Sequence, residues 1–312
     1  MDIYSIGEMV IDFLPGAEPG SYIRNAGGAP ANMAISAARN GLDVGFCGLF
    51  GDDDFGLFLA NTLERNNVRR LCPRFTAEAV TTMAFVTLKS NGERSFTFAR
   101  KPGADMLLTV DDVREEHLTS STIIHAGSCS LSAGTAVEAT LYAMRRGSEL
   151  GKMVSFDVNY RALLWDSDEK AAVNMIRKAL PHVDLLKISD EETPLLGGDI
   201  HALKREYSIP LVVETLGAKG AICFFNDTAL SASCPDVPCV DTTGAGDAFW
   251  GAFLTGLLCR GVIAASQLNE EILSSALREG NVAGALCVQK KGAISSLPTR
   301  TEIKAVLKKG GF

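Results

Sequence analysis

Short apolar segments alternate with longer amphipathic segments through most of the chain. Short, mainly apolar runs predict buried strands over 3–13, where Glu8 and Asp12 interrupt the run, and over 44–49, 122–126, 153–157, 185–188 and 211–214. Apolar residues that recur with the period of a helix predict helices over 33–40, 57–66, 133–146, 169–180, 200–207, 270–289 and 300–309. This alternation predicts an α/β fold with a mainly parallel central sheet, right-handed crossovers and helices on both faces.

Two hairpins interrupt this alternation. The first joins strands over 82–88 and 94–100 through a turn at 90–93, which reads Ser-Asn-Gly-Glu. The second joins 221–225 to 228–232. Because the first hairpin does not fit a parallel sheet, we interpret it as part of a small β lid formed by about 13–25 and 81–105. The chain is then a single domain over 1–312 that carries this lid.

Several polar residues lie at predicted strand ends. They are Asp12, Asp157, Ser189, Thr215 and, after the next apolar segment, Asp247. In open α/β sheets, ligands bind beyond the carboxyl ends of the strands. The sequence therefore predicts a site at this edge of the sheet.

The segment 240–253 combines a Gly-Ala-Gly turn with an acidic residue and an apolar helix that runs to about 258. Gly244, Ala245 and Gly246 carry little side-chain volume, so backbone N–H groups can approach an anion at the positive end of the helix. Asp247 lies where that helix begins. A carboxylate there can take the proton of a hydroxyl that attacks a phosphoryl group. The alternative is that Asp247 only caps the helix.

Two other glycine-containing segments suit ligand binding. The segment 27–32 reads Gly-Gly-Ala-Pro-Ala-Asn, in which Gly28 permits close approach and Asn32 offers a donor and an acceptor. With Asp12 this set suits a polyol or sugar, or the segment is simply a tight turn before a helix. The segment 215–220 suits a nucleotide phosphate or ribose, although glycine-rich entries to hairpins are common.

Composition narrows the function classes. The 312 residues carry 37 acidic and 30 basic side chains, a formal net charge of −7, which argues against nucleic acid or an anionic membrane as partner. Neither a signal peptide nor the roughly 18 apolar residues of a membrane span is recognisable. The eight scattered cysteines are typical of a reduced, cytoplasmic protein. Neither a P-loop nor a complete dinucleotide-binding motif occurs.

Two stretches resemble the signatures of the ribokinase-like (PfkB) carbohydrate kinase family, and the resemblance covers essentially the whole chain. The first is the segment 27–32, continued by Gly-Leu-Phe-Gly-Asp-Asp at 48–53. The second and more specific one is Asp-Thr-Thr-Gly-Ala-Gly-Asp at 241–247. The resemblance implies a three-layer α/β/α sandwich with a β lid, and a reaction that uses ATP with Mg²⁺.

The resemblance also implies a role for each matching residue. Asp247 would be the catalytic base, and the backbone of Gly244, Ala245 and Gly246 the anion hole. The sugar would contact Asp12, Gly27, Gly28, Asn32, Phe98 and Arg161. The nucleotide would contact Ser189, Thr215, Gly217, Gly220 and Asn281. Glu192 would assist Mg²⁺ through water, although Ser189 replaces the asparagine of the family's N-x-x-E element. Asp241 and Thr243 would lie near a monovalent cation such as K⁺.

Within that family the chain most resembles fructokinases. The segment 157–161 reads Asp-Val-Asn-Tyr-Arg before a Leu-Trp pair, and the return strand of the lid is also similar. Kinases of 2-keto-3-deoxygluconate and of aminoimidazole riboside share these features. We therefore predict a kinase for a primary sugar hydroxyl, first of all the 6-OH of fructose. It would form a homodimer through the lid, with Phe96 and Phe98 among the exposed residues. The alternative of another class is a non-catalytic sugar or nucleotide sensor.

Overall fold

The computed structural model describes residues 1–18, 20–88 and 94–309, with the side chains of 88 and 94–96 left aside. Over these residues the chain forms 15 strands and nine α-helices. The strands are β1 Ile3–Ile6, β2 Val10–Pro15, β3 Tyr22–Gly27, β4 Val44–Cys47, β5 Phe50–Gly51, β6 Val68–Arg70, β7 Phe75–Thr76, β8 Met83–Leu88, β9 Arg94–Ala99, β10 Ile123–Gly127, β11 Met153–Asp157, β12 Leu185–Ser189, β13 Leu211–Thr215, β14 Ala221–Phe225 and β15 Thr228–Ala232. The helices are α1 Ala29–Arg39, α2 Asp54–Arg65, α3 Glu115–Thr119, α4 Ala136–Glu149, α5 Glu169–Ala179, α6 Ile200–Tyr207, α7 Ala245–Leu258, α8 Glu270–Cys287 and α9 Arg300–Lys308.

The largest sheet in the described residues has nine strands in the order β15-β14-β13-β12-β11-β10-β1-β4-β6. Its strands are parallel from β13 through β6, and only β14 and β15 run antiparallel, at one edge. The predicted parallel sheet and the second hairpin are thereby confirmed. None of the helices in the described ranges combines the length and the apolar character that a membrane span requires.

Side chains of the central strands alternate between two buried cores. Ile123 and Leu185 belong to a core shared with α1, α7 and α8, whereas the next residues, Ile124 and Leu186, belong to a core shared with α4 and α5. Because successive side chains of a strand point to opposite faces, a sheet covered by helices on both sides needs strands that are apolar throughout. This confirms the three-layer α/β/α arrangement.

The strand predicted over 3–13 is wrong in one respect, because the chain forms two strands there. Gly7, with φ +148°, bends the backbone between β1 and β2 in a conformation that favours glycine. The first strand enters the central sheet, and the second enters a smaller one. Asp12 therefore lies in the smaller sheet and not at the carboxyl end of a central strand.

The smaller sheet has the strand order β3-β2-β8-β9 and is built from the segments predicted as the lid. Its register places Asn25, Asp12, Ala84 and Phe98 side by side across the four strands. Residues paired in this way point to the same face of a sheet. The predicted turn at 90–93 and the side chain of Phe96 lie outside the described residues.

Candidate active site

The N-terminus of α7 is held in place by close packing. Gly244 precedes the helix with φ +80°, in the left-handed region that favours glycine. Trp250 and Phe253 are fully buried, and a Cβ at Gly251 would lie 2.5 Å from Ser36 Oγ, so α7 and α1 touch at their backbones. The first N–H groups of a helix have no partner within it, so this fixed end offers donors to an anion.

Asp247 lies in the first turn of α7 and is bound by a residue of α1. The amide nitrogen of Asn32 donates to Asp247 Oδ2 over 2.8 Å. Asn32 is 5% exposed, and its buried Oδ1 has no hydrogen-bond partner among the described residues. A buried carbonyl oxygen without a donor is costly, so this position fits a hydroxyl group of a ligand.

The electrostatics around Asp247 favour a base that holds its proton more tightly than an ordinary aspartate. Burial raises the pKa of the Asp247 carboxyl, and Lys187, Asn32 and Arg161 oppose this rise. A raised pKa makes the carboxylate a stronger proton acceptor, and the three opposing groups limit this rise.

The residues predicted to bind the sugar come from three places. Asp12, Gly27 and Phe98 lie in the smaller sheet, Gly28 and Asn32 at the start of α1, and Arg161 after β11. Burial raises the pKa of Asp12 to about 6, and Arg161 opposes this rise. A Cβ at Gly27 would lie 2.0 Å from Asp12 Oδ2, so only glycine leaves room for this carboxylate. Gly28 has φ +108°, and a Cβ there would lie 2.6 Å from the carbonyl oxygen of Glu8.

The residues predicted to bind the nucleotide lie where β12 and β13 end. Ser189 and Thr215 are paired in the register of these strands. Gly217 and Gly220 follow with φ +57° and +101°. Asn281, from α8, donates to the carbonyl of Ala232 over 2.8 Å and so fixes the end of β15 beside this loop. The fold therefore gathers this set at the edge that the strand ends predict.

Glu192 connects the ends of two neighbouring strands. Its Oε1 accepts from the backbone N–H of Tyr160 over 2.6 Å, and its Oε2 accepts from that of Ser189 over 2.9 Å. Each carboxylate oxygen keeps a second lone pair, which can accept a hydrogen bond from water. No group of three or more acidic, histidine or cysteine side chains that could hold a metal occurs in 1–18, 20–88 or 94–309. A divalent ion here fits ligation by phosphates and water.

Asp241 shapes the loop that leads into α7. Its Oδ1 accepts from the N–H and the hydroxyl of Thr243 over 3.0 and 2.6 Å, and its Oδ2 accepts from the N–H of Gly292 over 3.0 Å. The buried carboxylate thus joins the two loops on either side of the N-terminus of α7.

Two buried cations near the site, Lys187 and Arg100, were not predicted as site residues. Lys187 donates to Asp157 Oδ2 over 2.7 Å, and both side chains are buried. Arg100 and Asp105 form a second buried ion pair, 2.8 Å from Nη2 to Oδ2. The sequence holds a signal for the first pair, because a lysine inside the apolar strand Leu-Leu-Lys-Ile-Ser must find a partner if that strand is buried.

Comparison with known proteins agrees with the fold and shows the family. The model of the pfkB family carbohydrate kinases matches residues 2–300. This chain belongs to that family and is a sugar phosphotransferase.

Similar proteins within the family include fructokinases. Probable fructokinase-4 of Arabidopsis thaliana is 41% identical over 319 residues, which cover 98% of this chain and 96% of that protein. The structure of fructokinase with bound ATP from Xylella fastidiosa has a TM-score of 0.91 at 32% identity, covering 99% of this chain and 98% of that one. A double-mutant fructokinase from Vibrio cholerae O395, in its fructose, ADP and potassium ion bound form, has a TM-score of 0.87 at 33% identity, covering 97% of each chain.

Proposed function

We propose that this protein transfers the γ-phosphoryl group of MgATP to the 6-hydroxyl of fructose, giving fructose 6-phosphate and ADP. The observation that carries the proposal is the hydrogen bond from Asn32 to Asp247, which fixes a carboxylate in the first turn of α7. The similarity of the whole chain to fructokinases supports fructose as the acceptor.

Asp247 acts as the base while the new bond to phosphorus forms. An alcohol is far less acidic than a carboxylic acid, so Asp247 orients the hydroxyl first and takes its proton during attack. The hydroxyl oxygen bonds to the γ-phosphorus, the bond to the β–γ bridging oxygen breaks, and ADP leaves with that electron pair. Backbone N–H groups of 244–246 stabilise the charge on the phosphoryl group.

The remaining predicted residues each have a role in the proposed reaction. Mg²⁺ would neutralise the β- and γ-phosphates, with Glu192 reaching it through water. Asp241 and Thr243 would fix the loop around K⁺, a proposal supported by the potassium ion in the V. cholerae structure. The sugar would be held by Asp12, Gly27, Gly28, Asn32, Phe98 and Arg161, and the nucleotide by Ser189, Thr215, Gly217, Gly220 and Asn281.

The wider setting of the enzyme is part of the same proposal. A single domain would carry the small sheet as a lid that excludes water when sugar is bound. Two chains would pair through the lid as a homodimer. A reduced, cytoplasmic location is supported by the eight cysteines, all of which are free thiols.

The acceptor is tested by coupled ADP release from MgATP with fructose, 2-keto-3-deoxygluconate, ribose, aminoimidazole riboside and adenosine. We expect fructose to give the highest kcat/KM. If 2-keto-3-deoxygluconate or a nucleoside gives the highest kcat/KM, that compound and not fructose is the acceptor. Absence of turnover with every compound would favour the sensor.

The role of Asp247 is tested by Asp247→Asn. We expect kcat to fall by about 10²–10⁴-fold, the usual contribution of a general base, while MgATP still binds. The exposed Asp111→Asn serves as the control for loss of one negative charge. Near-normal turnover by Asp247→Asn would refute the assignment.

A further inference from the structure

Lys187 is a cation in the middle of a buried parallel strand. Its side chain is 8% exposed, and the neighbouring Leu186 and Ile188 are fully buried. Burial lowers the pKa of a lysine, but Asp157, Glu192 and Asp247 together raise the pKa of Lys187, so the ammonium group stays charged. Removing a charge from water costs several kcal/mol, so this residue needs a compensating function or a compensating set of partners.

The ammonium group lies beside the first turn of α7. A Cβ at Gly246 would be 3.2 Å from Lys187 Nζ, so the absence of a side chain at Gly246 leaves space for the ammonium group. Lys187 also opposes the rise of the pKa of Asp247. The cation therefore lies between Asp157 and the proposed base, at the anion hole.

The ion pair with Asp157 leaves part of the hydrogen-bonding capacity of both groups unused. An ammonium group has three donors, and the only hydrogen bond found for Lys187 Nζ within the described residues goes to Asp157 Oδ2. The other oxygen, Asp157 Oδ1, is buried and has no partner in that part of the chain. A purely structural ion pair would be expected to satisfy its buried polar atoms. The ammonium group therefore keeps donors for a ligand beside the first turn of α7.

We propose that Lys187 is a further catalytic residue that contacts the phosphoryl group during transfer, and that Asp157 is the positioning residue that holds it there. A lysine ammonium adds a full positive charge to the partial charges of the N–H groups in 244–246. In a site closed to water, such a charge stabilises the oxygens of the transferred group more in the transition state than in bound ATP. The proposal rests on phosphoryl transfer beside Asp247 and holds for any acceptor sugar.

The first test compares Lys187→Met with wild type and with the exposed control Lys178→Met. We expect Lys187→Met to lose about 10²–10³-fold in kcat, as for loss of one oxyanion donor, with the KM for sugar within about threefold. The acid limb of its kcat profile should move to higher pH, because Asp247 loses the cation that lowers its pKa. The control should match wild type.

The double variant Lys187→Met/Asp157→Asn separates catalysis from structure. It removes both buried charges, so it should fold even if the single variant does not. If Lys187 contacts the phosphoryl group, the double variant stays at least 10²-fold slower than wild type. Recovery to within about tenfold of wild type would show that Lys187 only neutralises Asp157, and would overturn the proposal.

A binding experiment distinguishes this proposal from the choice of acceptor. MgADP is titrated with and without aluminium fluoride, which occupies the place of the transferred phosphoryl group. We expect aluminium fluoride to tighten MgADP binding to wild type and Lys178→Met but not to Lys187→Met. Tightening that survives in Lys187→Met would overturn the role of Lys187. Tightening in wild type that is lost in Lys187→Met, together with turnover of another sugar but not of fructose, would overturn fructose as the acceptor and leave the role of Lys187 standing.

Discussion

Carboxyl groups on the sugar side of the site are buried without enough cations to balance them. Burial raises the pKa of Glu8 to about 7 and that of Asp12 to about 6. Glu8 lies between β1 and β2, and its buried Oε2 has no partner in the described residues. A folded-state pKa above the unfolded value means that the folded protein binds the proton more tightly. The stability contributed by protonated Glu8 is complete below about pH 4.5 and is lost as the pH rises through about 7.

This linkage gives a prediction for Glu8→Gln, which cannot ionise. Relative to wild type, the free energy of unfolding of the variant should rise by about 2 kcal/mol between pH 5 and pH 8, because only the wild type must ionise a buried carboxyl. Urea unfolding at the two pH values measures the difference. The exposed Glu138→Gln is the matched control and should show no such change. An equal effect of Glu8→Gln at both pH values would contradict the raised pKa.

At the scale of elements, one buried cluster joins the lid to the central domain. Thr82 directly precedes β8, and Arg100 directly follows β9. Both contact Asp105 in the turn that follows, Thr82 through its hydroxyl and Arg100 through Nε and Nη2 over 3.0 and 2.8 Å. All three side chains are buried. The start of β8 and the end of β9 are thus held by a single carboxylate.

Asp105→Ala should loosen the lid without touching the base. We expect it to lower the free energy of unfolding by about 3–5 kcal/mol, since it leaves a buried guanidinium unpaired, and to raise the KM for sugar. Urea unfolding and steady-state kinetics measure both. The neighbouring pair Lys101–Asp166 is more than four-fifths exposed on both sides, so Asp166→Ala is the control and should cost less than about 1 kcal/mol. Equal effects of the two variants would show that Asp105 does not hold the smaller sheet in place.

At the scale of the whole molecule, the lid presents apolar side chains to solvent. Tyr22 and Ile23 of β3, an edge strand, are 46% and 58% exposed. Beside Tyr22, Phe13 stacks on Phe85 at 4.8 Å, and Phe85 meets Tyr22 edge-on at 5.8 Å. An edge strand has unpaired backbone groups, and exposed apolar side chains beside an aromatic cluster favour contact with another chain.

If the lid forms the dimer interface, Ile23→Lys should convert a dimer into a monomer. Burying a lysine charge against its copy is costly, so the dissociation constant should rise by at least 10²-fold. Sedimentation equilibrium measures the mass of each variant. Ile263→Lys, at a site 60% exposed but far along the chain, is the control and should leave the dimer intact. A monomeric wild type would refute the homodimer, and a dimeric Ile23→Lys would place its interface elsewhere.

The sequence alone determined the layers of the fold and the centre of the site. Apolar strands such as β12 and β13 can only be buried on both faces, so their alternation with amphipathic helices fixes a parallel sheet between two helical layers. The segment 241–247 is equally local, because a glycine turn, a helix start and a carboxylate follow one another directly. These features depend on residues that are close in the sequence, so they can be recognised without knowledge of the tertiary structure.

Only the tertiary structure decided which distant residues share the site. Asn32 and Asp247 are 215 positions apart, and Lys187 and Asp157 are 30 apart, so their hydrogen bonds depend on how helices and strands pack. The bend at Gly7, which places Asp12 in the smaller sheet, could not be predicted from the apolar pattern either. A mainly apolar run of this length is compatible with one strand or with two. Local patterns fix what each element is, whereas side-chain partners follow from where the fold places it.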